Sequence, residues 1–129
     1  MSTILVLDDE SNLRGLLCYL LQSYGYRTLG AASADEALLR FHDSDCQIDL
    51  LLADVSLPQS SGIQVALTLR ADRPDLRVIL ASGYPEVTWN TQDCALLQKL
   101  GADSLSILHK PFAPQVLVGA IRDLIGTSD

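Results

Sequence analysis

The sequence predicts an α/β fold of the doubly wound type, in which five parallel strands, each followed by a helix, form one open sheet of strand order 2-1-3-4-5. Short, almost continuous apolar runs at residues 3–7, 48–53 and 77–81 are typical of strands covered on both faces. Segments with helical spacing lie between them, and no repeat or low-complexity stretch interrupts the alternation. Right-handed crossovers between such units build a doubly wound sheet.

The elements follow in order along the chain. The first helix is indicated by leucines spaced i, i+3, i+4, i+7 and i+8 from Leu13, and a weaker strand follows at residues 26–31. Ser33 and Glu36 form a capping-box pattern that starts the second helix. Gly25 and Gly101 stand where helices are expected to end.

The second half of the chain repeats this pattern. The third helix is predicted over residues 62–71, because Pro74 prevents it from continuing. A fourth helix is expected at residues 93–100, a weaker strand at 104–108, and a fifth helix from the apolar spacing of residues 117–125.

Composition predicts one domain over residues 1–129, and because only residues 126–129 follow the fifth helix, no further domain is expected to be attached. Of the 129 residues 48% are apolar and 19% charged, which suffices for one core but not for two. The net charge of −7 argues against direct binding of nucleic acid or anionic lipid, and no apolar run could span a bilayer. We expect a cytoplasmic protein whose three cysteines are reduced thiols.

Chemically active side chains stand at four predicted strand ends. They are Asp8 and Asp9 after the first strand, Asp54 after the third, Ser82 after the fourth and Lys110 after the fifth. Because the carboxyl ends of parallel strands meet at one edge of the sheet, these five side chains are expected to converge.

Such a cluster predicts a metal site with phosphoryl chemistry. Each like-charge pair of carboxylates costs about 4 kcal/mol at 4 Å with an effective dielectric constant of 20, so a cation is needed. Oxygen ligands of this kind suit Mg²⁺. Lys110 adds a fixed positive charge, and Asp54 is the natural nucleophile toward phosphorus. Taken alone, each residue has an ordinary interpretation as a helix cap, a turn residue or a surface charge.

The chain resembles the receiver domains of two-component response regulators, the family typified by the chemotaxis protein CheY, which has the flavodoxin-like fold. The resemblance covers nearly the whole sequence: Asp8-Asp9, Asp54 in LLLADVSLPQSSG, Ser82 in ILASGY and Lys110 in HKPF occur in family order. It implies a phosphorelay protein, not a conventional enzyme, whose Asp54 accepts a phosphoryl group from a phosphohistidine. The donor would be a sensor histidine kinase or histidine phosphotransfer protein.

The same resemblance implies roles for individual residues. Mg²⁺ would be held by Asp9, Asp54 and the backbone carbonyl of Ser56, with Asp8 acting largely through the water shell of the metal. The Ser82 hydroxyl and Lys110 would each contact a phosphoryl oxygen. The domain would catalyse its own phosphoryl transfer and a slow autodephosphorylation, and it would signal to an unknown downstream protein as a monomer or a phosphorylation-dependent dimer.

The resemblance also implies a conformational change on phosphorylation, which would involve Ser82 and a side chain in the fifth strand. Many relatives have Tyr or Phe three residues before the lysine, whereas this chain has Ile107. Ser56 and Tyr84 are expected to modulate the lifetime of the phosphoryl group. The segment between Ser82 and Lys110 is longer than in typical relatives, and we expect the surplus in the loop that contains Tyr84 and Trp89.

The peptide bond between Lys110 and Pro111 is a candidate cis bond that would direct the lysine inward.

Three other functions fit the sequence less well. A phosphatase of the haloacid-dehalogenase type requires Asp-x-Asp after the first strand, whereas this chain has adjacent aspartates. A flavodoxin-like FMN binder needs a neutral phosphate loop there, and the acidic residues 8–10 would repel the phosphate. The third is a receiver-like binding module that works without phosphorylation, although all the groups needed for phosphorylation are present.

Overall fold

The computed structural model describes residues 2–43, 47–57, 61–83, 91–100 and 105–126, with the backbone alone for residues 43, 91–94 and 96. Within these ranges five strands alternate with five helices along the chain. The strands are β1 (Thr3–Leu7), β2 (Arg27–Ala31), β3 (Leu50–Asp54), β4 (Arg77–Ser82) and β5 (Leu105–His109). The helices are α1 (Ser11–Ser23), α2 (Ala34–Asp43), α3 (Gly62–Asp72), α4 (Thr91–Leu100) and α5 (Pro114–Ile125).

The strands form a single parallel sheet in the order β2-β1-β3-β4-β5, as the sequence predicts. From β1 the chain adds β2 on one side of the sheet and then β3, β4 and β5 on the other, so the order reverses between β1 and β3. All five carboxyl ends point to the same edge, and β1 and β3 are direct neighbours there. This topology brings residues that are distant in sequence to one rim.

Alternate residues of the central strands face opposite layers of helices. In β1, Leu5 and Leu7 belong to a core with α2, α3 and α4, whereas Ile4 and Val6 belong to a core with α1 and α5. All four side chains are essentially inaccessible to solvent. The central strands are continuous in apolar character because both of their faces are covered.

Helix ends agree with the local sequence signals. The Ser33 hydroxyl accepts a hydrogen bond from the Glu36 backbone N–H at 3.2 Å, and the Glu36 carboxylate accepts one from Ala32 N–H at 2.6 Å. The expected capping box therefore forms, with the glutamate reaching one residue further back than the usual pattern. Gly25 has φ 94° just past Tyr24, the C-cap of α1, as its predicted position at the helix end requires. Gly101 lies outside the described residues.

Three strands begin slightly later than the sequence predicts. β3 starts at Leu50 and not at 48, because Asp49 uses its carboxylate and its N–H to bond the Thr3 N–H and carbonyl, both at 2.9 Å, before the regular ladder begins. β2 and β5 each start one residue later than expected.

Helix α3 ends at Asp72, ahead of Pro74 as predicted. Cys18 is a free thiol. The side chains of Cys46 and Cys94 are outside the described part of the chain.

Candidate functional site

The turn after β1 holds Asp8 in a buried position at the edge of the sheet. The Asp8 N–H donates to the Ala31 carbonyl of β2 at 3.1 Å, and its Oδ1 accepts from the Glu10 N–H at 2.9 Å. Asp8 is only 3% exposed, whereas Asp9 is exposed. One carboxylate of the pair is thus fixed inside the rim and the other faces solvent above it.

Asp54 is the last residue of β3, and the turn that follows restrains its side chain. Its Oδ1 accepts a hydrogen bond from the Ser56 N–H at 3.1 Å. Ser56 pairs with Ser61 across the loop, and the Ser61 hydroxyl caps α3 by accepting from the Ile63 N–H at 3.1 Å. Residues 58–60 are not among those described. The Asp54 carboxylate remains accessible, with 12% of its side chain exposed.

Gly62 makes this arrangement possible at the start of α3. A Cβ at this position would lie 2.2 Å from the Asp54 carbonyl oxygen, a distance that two non-bonded atoms cannot reach. The Gly62 N–H donates to the Val55 carbonyl at 3.1 Å and draws the helix onto the end of β3. Only glycine lets the two backbones approach this closely.

Lys110 connects the two carboxylate-bearing strand ends. Its N–H donates to the Ser82 carbonyl at 2.7 Å, which ties the end of β5 to the end of β4. Its Nζ lies 3.0 Å from Asp54 Oδ2 and 3.4 Å from Asp8 Oδ2. The bond between Lys110 and Pro111 is cis, and the ammonium group points into the acidic site, as the sequence suggests.

The three aspartates form a group that can hold a metal ion. Asp8, Asp9 and Asp54 each offer a carboxylate oxygen, and these three oxygens lie within 4.8 Å of one another. Their spacing fits a single cation between them, and an all-oxygen donor set with a solvent-facing side is the kind that Mg²⁺ prefers. The predicted convergence of Asp8, Asp9, Asp54 and Lys110 is therefore present in the structure.

Electrostatics at the site are set by burial and by the Lys110 contacts. Burial raises the pKa of Asp54, and the hydrogen bond and charge of Lys110 only partly offset this effect. Burial alone would lower the pKa of Lys110, but the hydrogen bonds and charges of Asp54 and Asp8 outweigh it and raise that pKa. Lys110 is therefore firmly cationic, while the ionised form of Asp54 is held at an electrostatic cost.

The remaining residues singled out from the sequence lie around the cluster. Ser82 ends β4 at the same edge and is 1% exposed. Ile107 is half-buried in β5, beside Leu80 of β4, and packs against the core on the side of α2, α3 and α4. Tyr84, Trp89 and the expected longer loop fall outside the described residues.

Two residues that shape the site, Gly62 and Arg14, are not predicted from the sequence. Gly62 is predicted only as the start of a helix, although a glycine shortly after a strand-end aspartate signals a close approach of two backbones. Arg14 donates a hydrogen bond from Nη1 to the Asp8 carbonyl oxygen at 2.9 Å. A basic residue one turn into the helix that follows an acidic pair is its only sequence signal.

An apolar groove borders the site on the α1 side. It has a volume of about 340 Å³ and is lined by α1 and by the segment that begins at Lys110. Its lining side chains are Leu13, Leu16, Leu17, Leu20, Lys110, Pro111, Phe112 and Pro114. Leu16 is 63% exposed, so the α1 wall of the groove presents apolar surface directly to solvent.

The sequence also matches a family of known proteins. Residues 4–122 match the family model described as the response regulator receiver domain. The chain belongs to this family. The family and the fold agree with the resemblance drawn from the sequence, and the haloacid-dehalogenase and flavodoxin alternatives are set aside.

Individual relatives agree with this assignment. The transcriptional regulatory protein CpxR of Escherichia coli strain K12 is 35% identical over 128 residues, covering 99% of this chain and 51% of CpxR. The sensor kinase CckA of Brucella abortus strain 2308 is 31% identical over 129 residues, covering 99% of this chain and 13% of CckA. The chain thus spans about half or less of the length of these two relatives.

Among solved structures, the response regulator protein TrrA of Thermotoga maritima, determined in complex with Mg²⁺ and BeF, has a TM-score of 0.78 and 32% identity. The alignment covers 97% of this receiver and all of TrrA, at 100%. Among the described helices of this receiver, none is both long and apolar enough to cross a membrane.

Proposed function

We propose that this receiver accepts a phosphoryl group on Asp54 from a phosphohistidine of a sensor histidine kinase or a histidine phosphotransfer protein, in a Mg²⁺-dependent reaction. The observation that carries the proposal is the position of Lys110 Nζ, 3.0 Å from Asp54 Oδ2, beside a group of three carboxylate oxygens within 4.8 Å of one another. A nucleophilic carboxylate, an ammonium group and a cation site are the parts that phosphoryl transfer to aspartate requires.

In the transfer step an oxygen of the ionised Asp54 carboxylate attacks phosphorus. The new O–P bond forms as the N–P bond to the donor imidazole breaks, and the imidazole nitrogen keeps the electron pair and takes a proton from solvent. Bound Mg²⁺ supplies positive charge that offsets the charge of the equatorial phosphoryl oxygens. Lys110, already aimed at Asp54, exchanges its carboxylate partner for a phosphoryl oxygen.

The residues that would hold Mg²⁺ are Asp9, Asp54 and the backbone carbonyl of Ser56, with Asp8 contributing through bound water. This division agrees with their surroundings. Asp8 is buried and already accepts bonds from Glu10 N–H and Lys110, whereas Asp9 is exposed. An exposed carboxylate can turn toward the metal more freely than one whose oxygens are both engaged.

Switching involves Ser82 and Ile107 in this proposal. The Ser82 hydroxyl moves toward the new phosphoryl group and bonds one of its oxygens. Ile107 then fills the space that Ser82 leaves, at the position where many relatives have an aromatic residue. Ile107 faces the core on the side of α2, α3 and α4, so its movement would be transmitted to that layer. Ser56 and Tyr84 would tune how long the phosphoryl group persists. The switched surface acts on a downstream protein, as a monomer or a phosphorylation-dependent dimer.

The phosphodonor protein is proposed to contact the groove between α1 and the Lys110–Pro114 segment. Only 12% of the Asp54 side chain is exposed, so the donor must press against the rim of the site to deliver its phosphohistidine. The groove is continuous with that rim because Lys110 lines both. Its exposed Leu16 and half-buried Leu13 and Leu20 suit an apolar helix face on the partner.

The test is phosphorylation by acetyl phosphate, followed by intact mass. With Mg²⁺ the wild type is expected to gain the mass of one phosphoryl group, while Asp54→Ala and a sample treated with a metal chelator gain none. Equal labelling of Asp54→Ala would contradict the assignment of the acceptor. No labelling of the wild type, with the fold intact, would favour a binding module that works without phosphorylation.

A further inference from the structure

Arg14 has an unusual path for a side chain on a surface helix. Its backbone N–H closes the first turn of α1 on the Glu10 carbonyl at 2.9 Å. Its side chain is half-buried and turns back toward the sheet, and its Nη1 donates a hydrogen bond to the Asp8 carbonyl oxygen at 2.9 Å. A long cationic side chain normally keeps its charged end in water, so this inward path requires an explanation.

Gly30 of β2 provides the space for that path. A Cβ at this position would lie 3.4 Å from Arg14 Cδ and 3.6 Å from both Cγ and Nε. The arginine stem therefore lies directly over the bare backbone of Gly30. A methyl group would just fit there, but a larger side chain would displace the stem.

The carbonyl that Arg14 holds belongs to the peptide that joins Asp8 to Asp9. Because a peptide unit is planar, fixing its oxygen also fixes the directions in which the two flanking Cα atoms are presented. The Asp8 N–H is held by Ala31 of β2, the residue next to Gly30, at 3.1 Å. Glu10, at the N-cap of α1, makes no side-chain capping hydrogen bond, so the turn depends on these other contacts.

We infer that Arg14 is a positioning residue, which uses the space over Gly30 to lock the Asp8–Asp9 peptide so that the Asp9 carboxylate reaches the metal directly and the Asp8 carboxylate reaches it through bound water. The part that concerns the metal rests on the proposed Mg²⁺ function. The locking of the turn does not, since it concerns the metal-free protein alone.

Charge and geometry predict opposite effects when Arg14 is replaced. As a cation near the site, Arg14 repels Mg²⁺, so if charge alone mattered, Arg14→Met would bind Mg²⁺ more tightly and Arg14→Lys would match the wild type. As a positioning residue, its loss weakens binding. We expect Arg14→Met to bind Mg²⁺ about tenfold more weakly, the lower end of the range for outer-shell partners of metal ligands, with Arg14→Lys in between.

The experiment measures Mg²⁺ affinity by calorimetry and the hydrogen exchange rate of the Glu10 amide in the metal-free protein. Arg40→Met is the matched control, since Arg40 is an exposed arginine of α2 paired with Glu36 at 3.7 Å. It should leave both quantities unchanged. Arg14→Met should weaken Mg²⁺ binding and speed exchange of the Glu10 amide, whose bond to Asp8 Oδ1 depends on the locked turn.

Gly30→Val tests the same path without removing the guanidinium group. The valine displaces the Arg14 stem, so Mg²⁺ binding should weaken as in Arg14→Met, and the double variant should be little worse than either single one. This variant also decides the matter if Arg14→Met does not fold.

Unchanged or tighter Mg²⁺ binding in Arg14→Met, with unchanged exchange at Glu10, would overturn the inference. A wild type that does not bind Mg²⁺ would instead refute the proposed metal site, and the exchange rates of the metal-free proteins would still decide the role of Arg14.

Discussion

At the scale of single residues, the surroundings of Asp54 disfavour the ionised form of its carboxyl group. Burial raises its pKa, while Lys110 and the Ser56 N–H counteract the rise without cancelling it. A carboxyl group whose pKa is raised by folding destabilises the folded state increasingly as the pH rises from its ordinary pKa through the raised pKa. The ionised carboxylate of Asp54, the proposed nucleophile, therefore lowers the stability of the folded state, which an uncharged side chain would not do.

Replacing Asp54 by Asn should stabilise the metal-free protein. At neutral pH we expect the free energy of unfolding to rise by about 1 kcal/mol, on the scale of incompletely compensated buried polar groups. The gain should disappear as the pH falls through the raised pKa of Asp54 and below its ordinary value of 3.8, because the wild-type carboxyl is then protonated in both states. Urea unfolding at a series of pH values measures this.

Asp123→Asn on the exposed surface of α5 is the control for the loss of one unit of charge. It should change the free energy of unfolding little and without the same pH dependence. A destabilised Asp54→Asn variant at neutral pH would contradict the electrostatic account, since it would mean that the Lys110 contact outweighs burial.

At the scale of elements, the junction between β3 and α3 presents the proposed acceptor, Asp54. Gly62, the first residue of α3, lies against the backbone of Asp54, and this contact leaves no room for a side chain at position 62. The Ser56–Ser61 pairing and the Ser61 cap then hold Ser56, whose N–H bonds Asp54, next to the start of α3. Acceptor geometry therefore depends on how closely this helix can approach this strand.

Gly62→Ala should destabilise the protein by about 2 kcal/mol, because its Cβ must displace the Asp54 backbone. It should also slow phosphorylation by acetyl phosphate, since the acceptor moves with that backbone. Gly119→Ala in α5 is the matched control. Nothing lies within 4 Å of its added Cβ, so it should be neutral or stabilising by up to about 1 kcal/mol. Equal stability changes in the two variants would contradict the close approach.

Sequence patterns predict the elements well but miss two of the contacts between them. The strand order and the meeting of Asp8, Asp9, Asp54 and Lys110 follow from the alternation of apolar runs and helices, because parallel strands leave little choice of edge. The roles of Arg14 and Gly62 are not predictable in the same way. Each depends on a distance of a few ångströms between two elements, which spacing along one element does not reveal.

At the scale of the whole molecule, the site lies beside the groove that we propose as the docking surface. The carboxyl edge gathers the charged groups, while α1 and the segment after β5 form the apolar groove beside them. Lys110 belongs to both. A partner bound in the groove is therefore adjacent to the acceptor.

This arrangement predicts that the groove matters for protein donors and not for small ones. Leu16→Asp should reduce the rate of phosphoryl transfer from a phosphorylated histidine kinase or phosphotransfer protein by tenfold or more, on the order of a loss of 1.4 kcal/mol. The rate with acetyl phosphate should be unchanged, because that donor needs no groove. Stopped-flow or gel-based transfer assays with each donor measure the two rates.

Leu39→Asp is the control for a charged substitution on an exposed leucine. Leu39 lies on α2, is 62% exposed and does not line the groove. It should leave transfer from both donors unchanged. Equal effects of the two substitutions on the protein donor would show that the groove has no special part in docking.

The central claim is that one pocket at the carboxyl edge places a metal site, the Asp54 carboxylate and the Lys110 ammonium around a single phosphoryl position. A crystal structure with Mg²⁺ and beryllofluoride tests it most directly. The account predicts beryllofluoride on the Asp54 carboxylate, Lys110 Nζ bonded to a fluorine, and Mg²⁺ held by Asp9, Asp54 and the Ser56 carbonyl. Beryllofluoride bound elsewhere, or Mg²⁺ bound without Asp54, would contradict it.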